Sequence, residues 1–475
     1  MNWFLGIVAA SILGVCFFIN IIFIQFYRHP EDKWVGWFPR LVIILGLLIA
    51  ESLVLMLPFD IANVGDDTYP IVEMWNMLLY ALIAFIVLII PFAQYYYESM
   101  NAEGKASIMS GLCSAIMFLI IFCLFFFIGY IFLGKIELPV EYMTCAPKEL
   151  TGDYSSQTLN TVDLEIDLSY PVFLAGMISF LGNIFLTIFG GIGLFTLPFS
   201  LINDYRKRPK SGVTTKFIQH RRTLSSRGQR LREIGVELRS QLELNDKPTR
   251  QQKKMFNRWK NAFEQLQAQN DITKLAFYKH GGSPIWFWFK GFLGILFFVI
   301  SGFWYVHVLL YLFFKPAVHP FLNSFFIALD GFFPLLGIAA YALCALYLLW
   351  AVLHGVASVG LKVLFFTVHK MRKNDTTLNS ILFNVWLLLI TVFPIVQFCV
   401  KSFGDYSRVA LVKTLVSVQI ENIKYLKHTW SYFIIAFLGF GILTLALKLM
   451  CPGKSQDSEL KDLDRVLSKD LGARL

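Results

Sequence analysis

Apolar residues in this 475-residue chain gather into long unbroken runs, not into alternating or heptad patterns. A helix that crosses a bilayer needs about 20 mostly apolar residues. Nine runs qualify: Trp3–Phe26, Phe38–Leu57, Ile71–Tyr95, Ile108–Leu133, Pro171–Leu197, Trp286–Phe314, Phe333–Phe366, Ile381–Val400 and Trp430–Met450. The first has no basic leader and is too long for a cleavable signal, so it is expected to remain as span one. The region Phe321–Val368 exceeds one helix and is interrupted by Asp330-Gly331 and Pro334. Phe321–Phe332 therefore reads as a re-entrant or interfacial piece, because another full span would invert everything downstream. The expected fold is all-α: a polytopic membrane helix bundle of about nine transmembrane helices.

The polar segments between the runs set orientation and domain limits. Lys and Arg collect on the cytosolic side of short loops. The loop 60–70 has three Asp and no basic residue, and the loop 135–170 has two Lys against seven acids, so both are expected outside. The long loop after span five, the run Lys370/Arg372/Lys373 and the tail after Met450 are expected in the cytosol. That gives an N-terminus outside and a C-terminus inside. One loop conflicts: 401–429 should be outside yet holds five Lys/Arg against two acids. The alternation over 409–416 suggests that it is partly buried. Four regions result: a five-span bundle over 1–201, a basic cytosolic loop over 202–284, a four-span bundle with the re-entrant piece over 285–450, and a cytosolic tail over 451–475.

In the basic loop Leu231, Ile234, Leu238 and Leu242 recur at helical spacing. A break at Asn245–Pro248 follows, then a second periodic stretch with Met255, Trp259, Ala262, Phe263 and Leu266. This predicts a coiled-coil-like helical hairpin of about two heptads per arm. Residues 231–270 would dock a cytosolic protein, self-associate, or only pack on themselves. In the tail Leu460, Leu463, Leu467 and Leu471 share one helical face.

Composition narrows the class. Hydrophobic residues make up 56% of the chain, charged residues 16%, and mean hydropathy is +0.59, which excludes a soluble enzyme, a secreted disulfide scaffold and a disordered chain. The net charge is +10, but residues 202–284 alone carry 19 Lys/Arg against 7 Asp/Glu. A basic segment between spans reads as a face near anionic lipid head groups, not as a nucleic-acid surface. Arg206, Lys207, Arg208, Lys210, Arg221 and Arg222 form its lipid-facing cluster, with Ser211, Ser225 and Ser226 among them as places where phosphorylation would weaken attachment. The seven cysteines follow no disulfide or metal spacing. No nucleophile or metal motif occurs, and no cofactor is implied.

Polar groups at membrane depth cost a few kcal/mol to insert and mark the candidate sites. Glu51, Asp60, Asp330 and Asn183 form a candidate intramembrane polar pathway for a proton or cation, the alternative being a structural polar clamp. Asn183, Gln94, His307, His354 and Lys362 are possible partners for Glu51. His307 and His354 otherwise pack or bond between helices. The glycines of span five either bring helices close together or unwind one to line a substrate site.

An apolar-Pro-Phe phrase recurs at span ends, as Pro58-Phe59-Asp60, as Pro91-Phe92 before Tyr95-Tyr96-Tyr97-Glu98, and as Pro198-Phe199. Proline interrupts a helix and frees carbonyls, so each reads as a helix break. With the layout of the whole chain, these phrases resemble the limb-region-like membrane protein family, of lipocalin-interacting receptor and lysosomal cobalamin-export type. The resemblance implies nine spans, an outside N-terminus and a long cytosolic loop with coiled coil between spans five and six. The only Asn-x-Ser/Thr acceptor, Asn374, falls in an expected cytosolic loop, so glycan-dependent ligand capture is not supported.

Two function classes follow, neither enzymatic. One is a membrane receptor or scaffold that couples a lumenal, extracellular or intramembrane ligand to cytosolic partners and trafficking. The other is an endosomal or lysosomal transporter, or transport accessory, for a small organic solute. The expected location is the endomembrane system or the plasma membrane. A third class, a lipid-acting membrane enzyme, has nothing beyond a general apolar interior to support it.

Overall fold

A computed structural model describes residues 2–29, 32, 37–63, 69–99, 108–144, 158–206, 214–243, 250–278, 284–333, 335–359, 362–363, 366–367, 371, 376–414, 416, 420–424, 426 and 429–450. In chain order the elements begin with α1 (Asn2–Tyr27), α2 (Trp37–Ala62), α3 (Ile71–Ala84), α4 (Ile90–Glu98) and α5 (Ile108–Leu133). A β-hairpin follows, β1 (Lys135–Thr144) and β2 (Thr158–Asp167), then α6 (Tyr170–Phe185), α7 (Gly191–Arg206), α8 (Thr214–Glu243), α9 (Arg250–Tyr278) and α10 (Pro284–His307). The chain continues as α11 (Phe321–Phe332), α12 (Leu336–Ser358), the short strands β3 (Lys362–Val363) and β4 (Phe366–Thr367), α13 (Leu378–Ser402), the single turn α14 (Val412–Thr414) and α15 (Thr429–Met450). Wide π-turns at 85–89, 186–190 and 308–313 join α3 to α4, join α6 to α7, and extend α10.

Among the described residues nine helical segments are long and apolar enough to span a bilayer, one at each expected place. The seventh is shorter than expected, ending at Ser358, with β3 and β4 beyond it. Phe321–Phe332 is a separate 12-residue helix, too short to cross. The expected tail helix within 451–475 lies outside the described residues.

The chain packs as two units: residues 1–197 with 300–445, and residues 198–299 with the end of α15. In the first unit α13 is the axis. α13 is 89% buried, against 6% for α5, because α13 is flanked by α2, α4, α6 and α12 while α5 packs mainly on α4 and turns most of its surface outward. Gly182, Gly193 and Gly355 permit the closest approaches among the described glycines. A side chain at Gly182 would collide with the Ile390 carbonyl, and one at Gly193 with that of Ala351. The span-five glycines at these two positions therefore serve close packing.

Two segments expected to be loops are ordered. Residues 135–144 and 158–167 form an antiparallel ladder in which Ile136 faces Ile166, Leu138 faces Leu164 and Val140 faces Val162. Ile136, Leu138 and Val140, like Val162, Leu164 and Ile166, alternate with mostly polar positions, a period-two strand signal that the acidic-loop reading does not use. The described residues of 403–426 form a cap, with Phe403, Val412, Val416, Ile420 and Ile423 buried, in line with the burial that the alternation over 409–416 suggests. The cap pairs with the hairpin foot: Glu137 N–H donates to the Asn422 carbonyl (2.9 Å), and Lys424 N–H donates to that of Lys135 (2.9 Å).

The second unit contains the helical hairpin. Its arms, α8 and α9, are 30 and 29 residues long, about four heptads each and twice the expected length. They are held by Leu224, Leu231, Ile234, Leu238, Ala262 and Leu266, with Met255 and Trp259 packed against them. Lys290 near the start of α10 pairs with Asp204 on α7 (2.8 Å).

Candidate functional site

The polar groups of the first unit sort into three clusters. Glu51 on α2 is buried, and Asn20 Nδ2 of α1 donates to its Oε2 (2.9 Å). The Cys16 thiol and the Trp350 indole also donate to it. Among the described residues its partners come from α1 and α12; Asn183, Gln94, His307 and His354 are not among them, and the Lys362 side chain lies outside the described residues. The cost of burying Asn20 in span one was legible by the same rule that marked Glu51.

Asp60 and Asp330 both hold the cap. Asp60, 1% exposed near the end of α2, accepts the backbone N–H groups of Leu411 (3.2 Å) and Val412 (3.1 Å) and the Trp75 indole N–H of α3 (3.1 Å). Three donors on one carboxylate are what make its burial tolerable. Asp330, at the end of α11, accepts Gly337 N–H (2.8 Å) and the Tyr406 hydroxyl (2.6 Å). It thereby closes the turn in which Leu335 sits at φ 77°, a conformation non-glycine residues rarely adopt. The Tyr406 hydroxyl is pushed well up by burial and by its bond to Asp330. His307 reinforces the same end: its ring lies between those of Tyr311 and Phe403. Leu322 N–H donates to its Nδ1 (3.3 Å), which leaves Nε2 to donate to the Ser402 carbonyl (2.7 Å).

The third cluster surrounds a cavity of about 30 Å³, room for one or two waters, lined by α6, α13, the cap and α15. Ser179 Oγ and Asn183 Nδ2 both donate to Gln397 Oε1 (2.7 and 3.3 Å). Lys401 Nζ lies 2.8 Å from Glu421 Oε2 and 4.1 Å from the centre of the Trp430 ring. Glu421 Oε1 is buried without a hydrogen-bond partner among the described residues, and burial raises this carboxyl above its ordinary value, with Lys401 opposing. Gln397, Lys401, Glu421 and Trp430 were missed in the sequence. Gln397 lies at membrane depth and was open to the rule applied to Glu51, but Lys401 and Trp430 lie at span ends and Glu421 in the segment between spans, where polar residues are ordinary.

Of the Pro-Phe phrases, Pro58 and Pro198 lie inside continuous helices. Pro91 opens α4 after the wide turn at 85–89. None ends its span: each proline lies within one. Their aromatic neighbours act as packing posts, Phe59 against Tyr69, Phe92 against Phe38 and Phe199 against Phe298. In the basic cluster Arg206, Arg221 and Arg222 are exposed, while Lys207, Arg208 and Lys210 lie outside the described residues.

These features define a polytopic helical membrane protein with a hydrogen-bonded polar cap and a helical hairpin. A family model, LMBR1-like membrane protein, matches residues 5–280, and the chain belongs to that family. It is similar to a LIMR family protein of Dictyostelium discoideum, 29% identical over 95% of this chain and 98% of that protein. A LIMR family protein of Arabidopsis thaliana is 29% identical over 93% and 94%, and one of Oryza sativa subsp. japonica is 28% identical over 94% and 95%. No solved structure matches.

Proposed function

We propose that this protein is a non-enzymatic multi-pass membrane receptor or scaffold that couples a lumenal, extracellular or intramembrane ligand to cytosolic partners. The observation that carries the reading is the separation of Glu51, Asp60, Asp330 and Asn183. Among the described residues they share no hydrogen-bond partner, and each satisfies its own neighbourhood. A conducting route requires such groups in series, whereas a rigid ligand-facing cap requires only that they be clamped. In this arrangement the cap and β-hairpin face the lumen or exterior, with the N-terminus on that side. The α8–α9 hairpin and the C-terminus lie in the cytosol, and the cluster from Arg206 to Arg222 rests on anionic lipid.

A second reading is a transporter or accessory for a small organic solute in endosomes or lysosomes; the polar cluster Ser179, Asn183, Gln397 and Glu421 would serve it as part of a proton or water path, since its cavity of about 30 Å³ admits only water. One experiment separates the two: tagged wild type, Glu51→Gln and a 231–270 deletion are purified from membranes in mild detergent. The receptor reading expects Glu51→Gln to retain the cytosolic partners and the deletion to lose them. Partners unaffected by the deletion, with function lost in Glu51→Gln, overturn it in favour of transport.

A further inference from the structure

We infer that the open face of the α8–α9 hairpin is a docking groove for an acidic amphipathic helix of a cytosolic protein. The inference rests on the receptor-or-scaffold reading and supplies the chemistry of the partner.

Gly228, Arg232, Gly235 and Arg239 recur at spacings of three and four, so they form one stripe along α8. Facing them on α9 is an aromatic ladder. Phe256 stacks on Trp259 (ring centres 6.0 Å apart) and Trp259 on Phe263 (5.7 Å). Trp259 is fixed by its indole N–H, which donates to the Leu231 carbonyl (2.8 Å). Between stripe and ladder lies a cleft of about 310 Å³. Gly235 keeps its floor low, since a Cβ there would lie 2.9 Å from the Trp259 ring.

The hairpin leaves apolar surface uncovered along this cleft: Val236 is 65% exposed and Phe263 47%, though neither belongs to a membrane span. A concave apolar strip between two long helices is the complement of a third helix, read by anchors at i, i+3 or i+4, and i+7. Charge selects which helix. The two arms carry thirteen Lys/Arg against five Asp/Glu, so a second copy of the hairpin would bring like charge to like. Arg232 and Arg239 are both exposed and stand seven residues apart, about 10.5 Å along the axis, matching acids spaced seven apart on an incoming helix. The cleft supplies affinity and the arginine pair supplies sign and register.

The test places a photo-crosslinking amino acid at Val236 in the full-length protein in cells and sequences the segment it captures. The expected adduct is an acidic segment of another protein with apolar residues at i, i+3 or i+4, and i+7. Arg232→Glu with Arg239→Glu should reduce the adduct by about tenfold, and Arg→Lys at both should restore it. Capture of the chain's own 451–475, of a second hairpin or of lipid overturns the inference, as does an adduct indifferent to charge reversal. If deleting 231–270 strips cytosolic partners but no Val236 adduct forms, the groove assignment fails and the receptor reading stands. If the deletion strips nothing, both fail.

Discussion

Lys424 Nζ lies 2.6 Å from Glu165 and 3.4 Å from Glu137, so one ammonium serves two carboxylates that face each other across the β-hairpin. Like charges directly opposite in a ladder destabilise it. Lys135 adds a third contact, to the other Glu165 oxygen (3.3 Å). This relationship also accounts for a cluster of basic residues in a segment expected outside. Lys424 is committed to hairpin acids, Lys401 to Glu421, and Lys413 donates to the Gly404 carbonyl.

The first prediction concerns that bridge. Lys424→Glu should detach the hairpin foot from the cap and speed hydrogen exchange over 135–144 and 158–167. Adding Glu165→Lys should restore much of the protection. Hydrogen bonds from Lys424, then Lys135, hold the Glu165 carboxyl below its ordinary value. A depressed acid contributes stability above its unfolded value and loses it as pH falls through the folded one. Protection of the wild-type hairpin should therefore stay flat on acidification to about pH 4.3 and fall only below it.

Glu421 should respond in the opposite sense. Burial raises its carboxyl, so it protonates before Glu165 as pH falls, and its contribution to stability grows in that direction. Once neutral it releases Lys401 from the pair above the Trp430 ring. Trp430 emission should shift with a midpoint above about 4.3, and Glu421→Gln should abolish the shift. A midpoint at or below that value would show Glu421 to be an ordinary surface carboxylate.

Asp60 is the third case. Asp60→Ala leaves two cap N–H groups and the Trp75 indole without an acceptor in a buried setting. Each unmet donor costs about 1–3 kcal/mol, so the loss should be about 3 kcal/mol or more. Asp60→Asn retains an acceptor oxygen and should cost less. Thermal unfolding in detergent, followed by tryptophan emission, would order the variants as wild type, Asn, then Ala.

Long apolar runs made the nine spans legible, because membrane insertion is decided locally by hydropathy. The helical hairpin was legible from Leu231, Ile234 and Leu238 for a similar reason, although its length was not, since the polar ends of α8 and α9 carry no apolar period. Glu51 and Asp60 stood out by their cost at membrane depth. Their partners did not, because the Asn20, Trp75 and Leu411 contacts join segments distant in sequence, and no period in one segment encodes the other. The cap was half legible: its alternation showed burial, but its pairing with β1 depends on that same long-range geometry.

The last prediction separates packing glycines from incidental ones. A Cβ at Gly193 meets the Ala351 backbone, and one at Gly182 meets that of Ile390, so neither collision can be relieved by moving a side chain. Gly193→Val and Gly182→Val should push α7 from α12 and α6 from α13. Overpacking typically costs about 1–3 kcal/mol, and backbone contacts place both at the upper end. Gly439 on α15 has no neighbour within 4 Å of a built Cβ, so Gly439→Val should be tolerated. Yield of monodisperse protein in mild detergent would distinguish them, with the first two falling sharply and the third matching wild type. Equal loss in all three would mean that helix propensity, not interhelical distance, sets the demand for glycine.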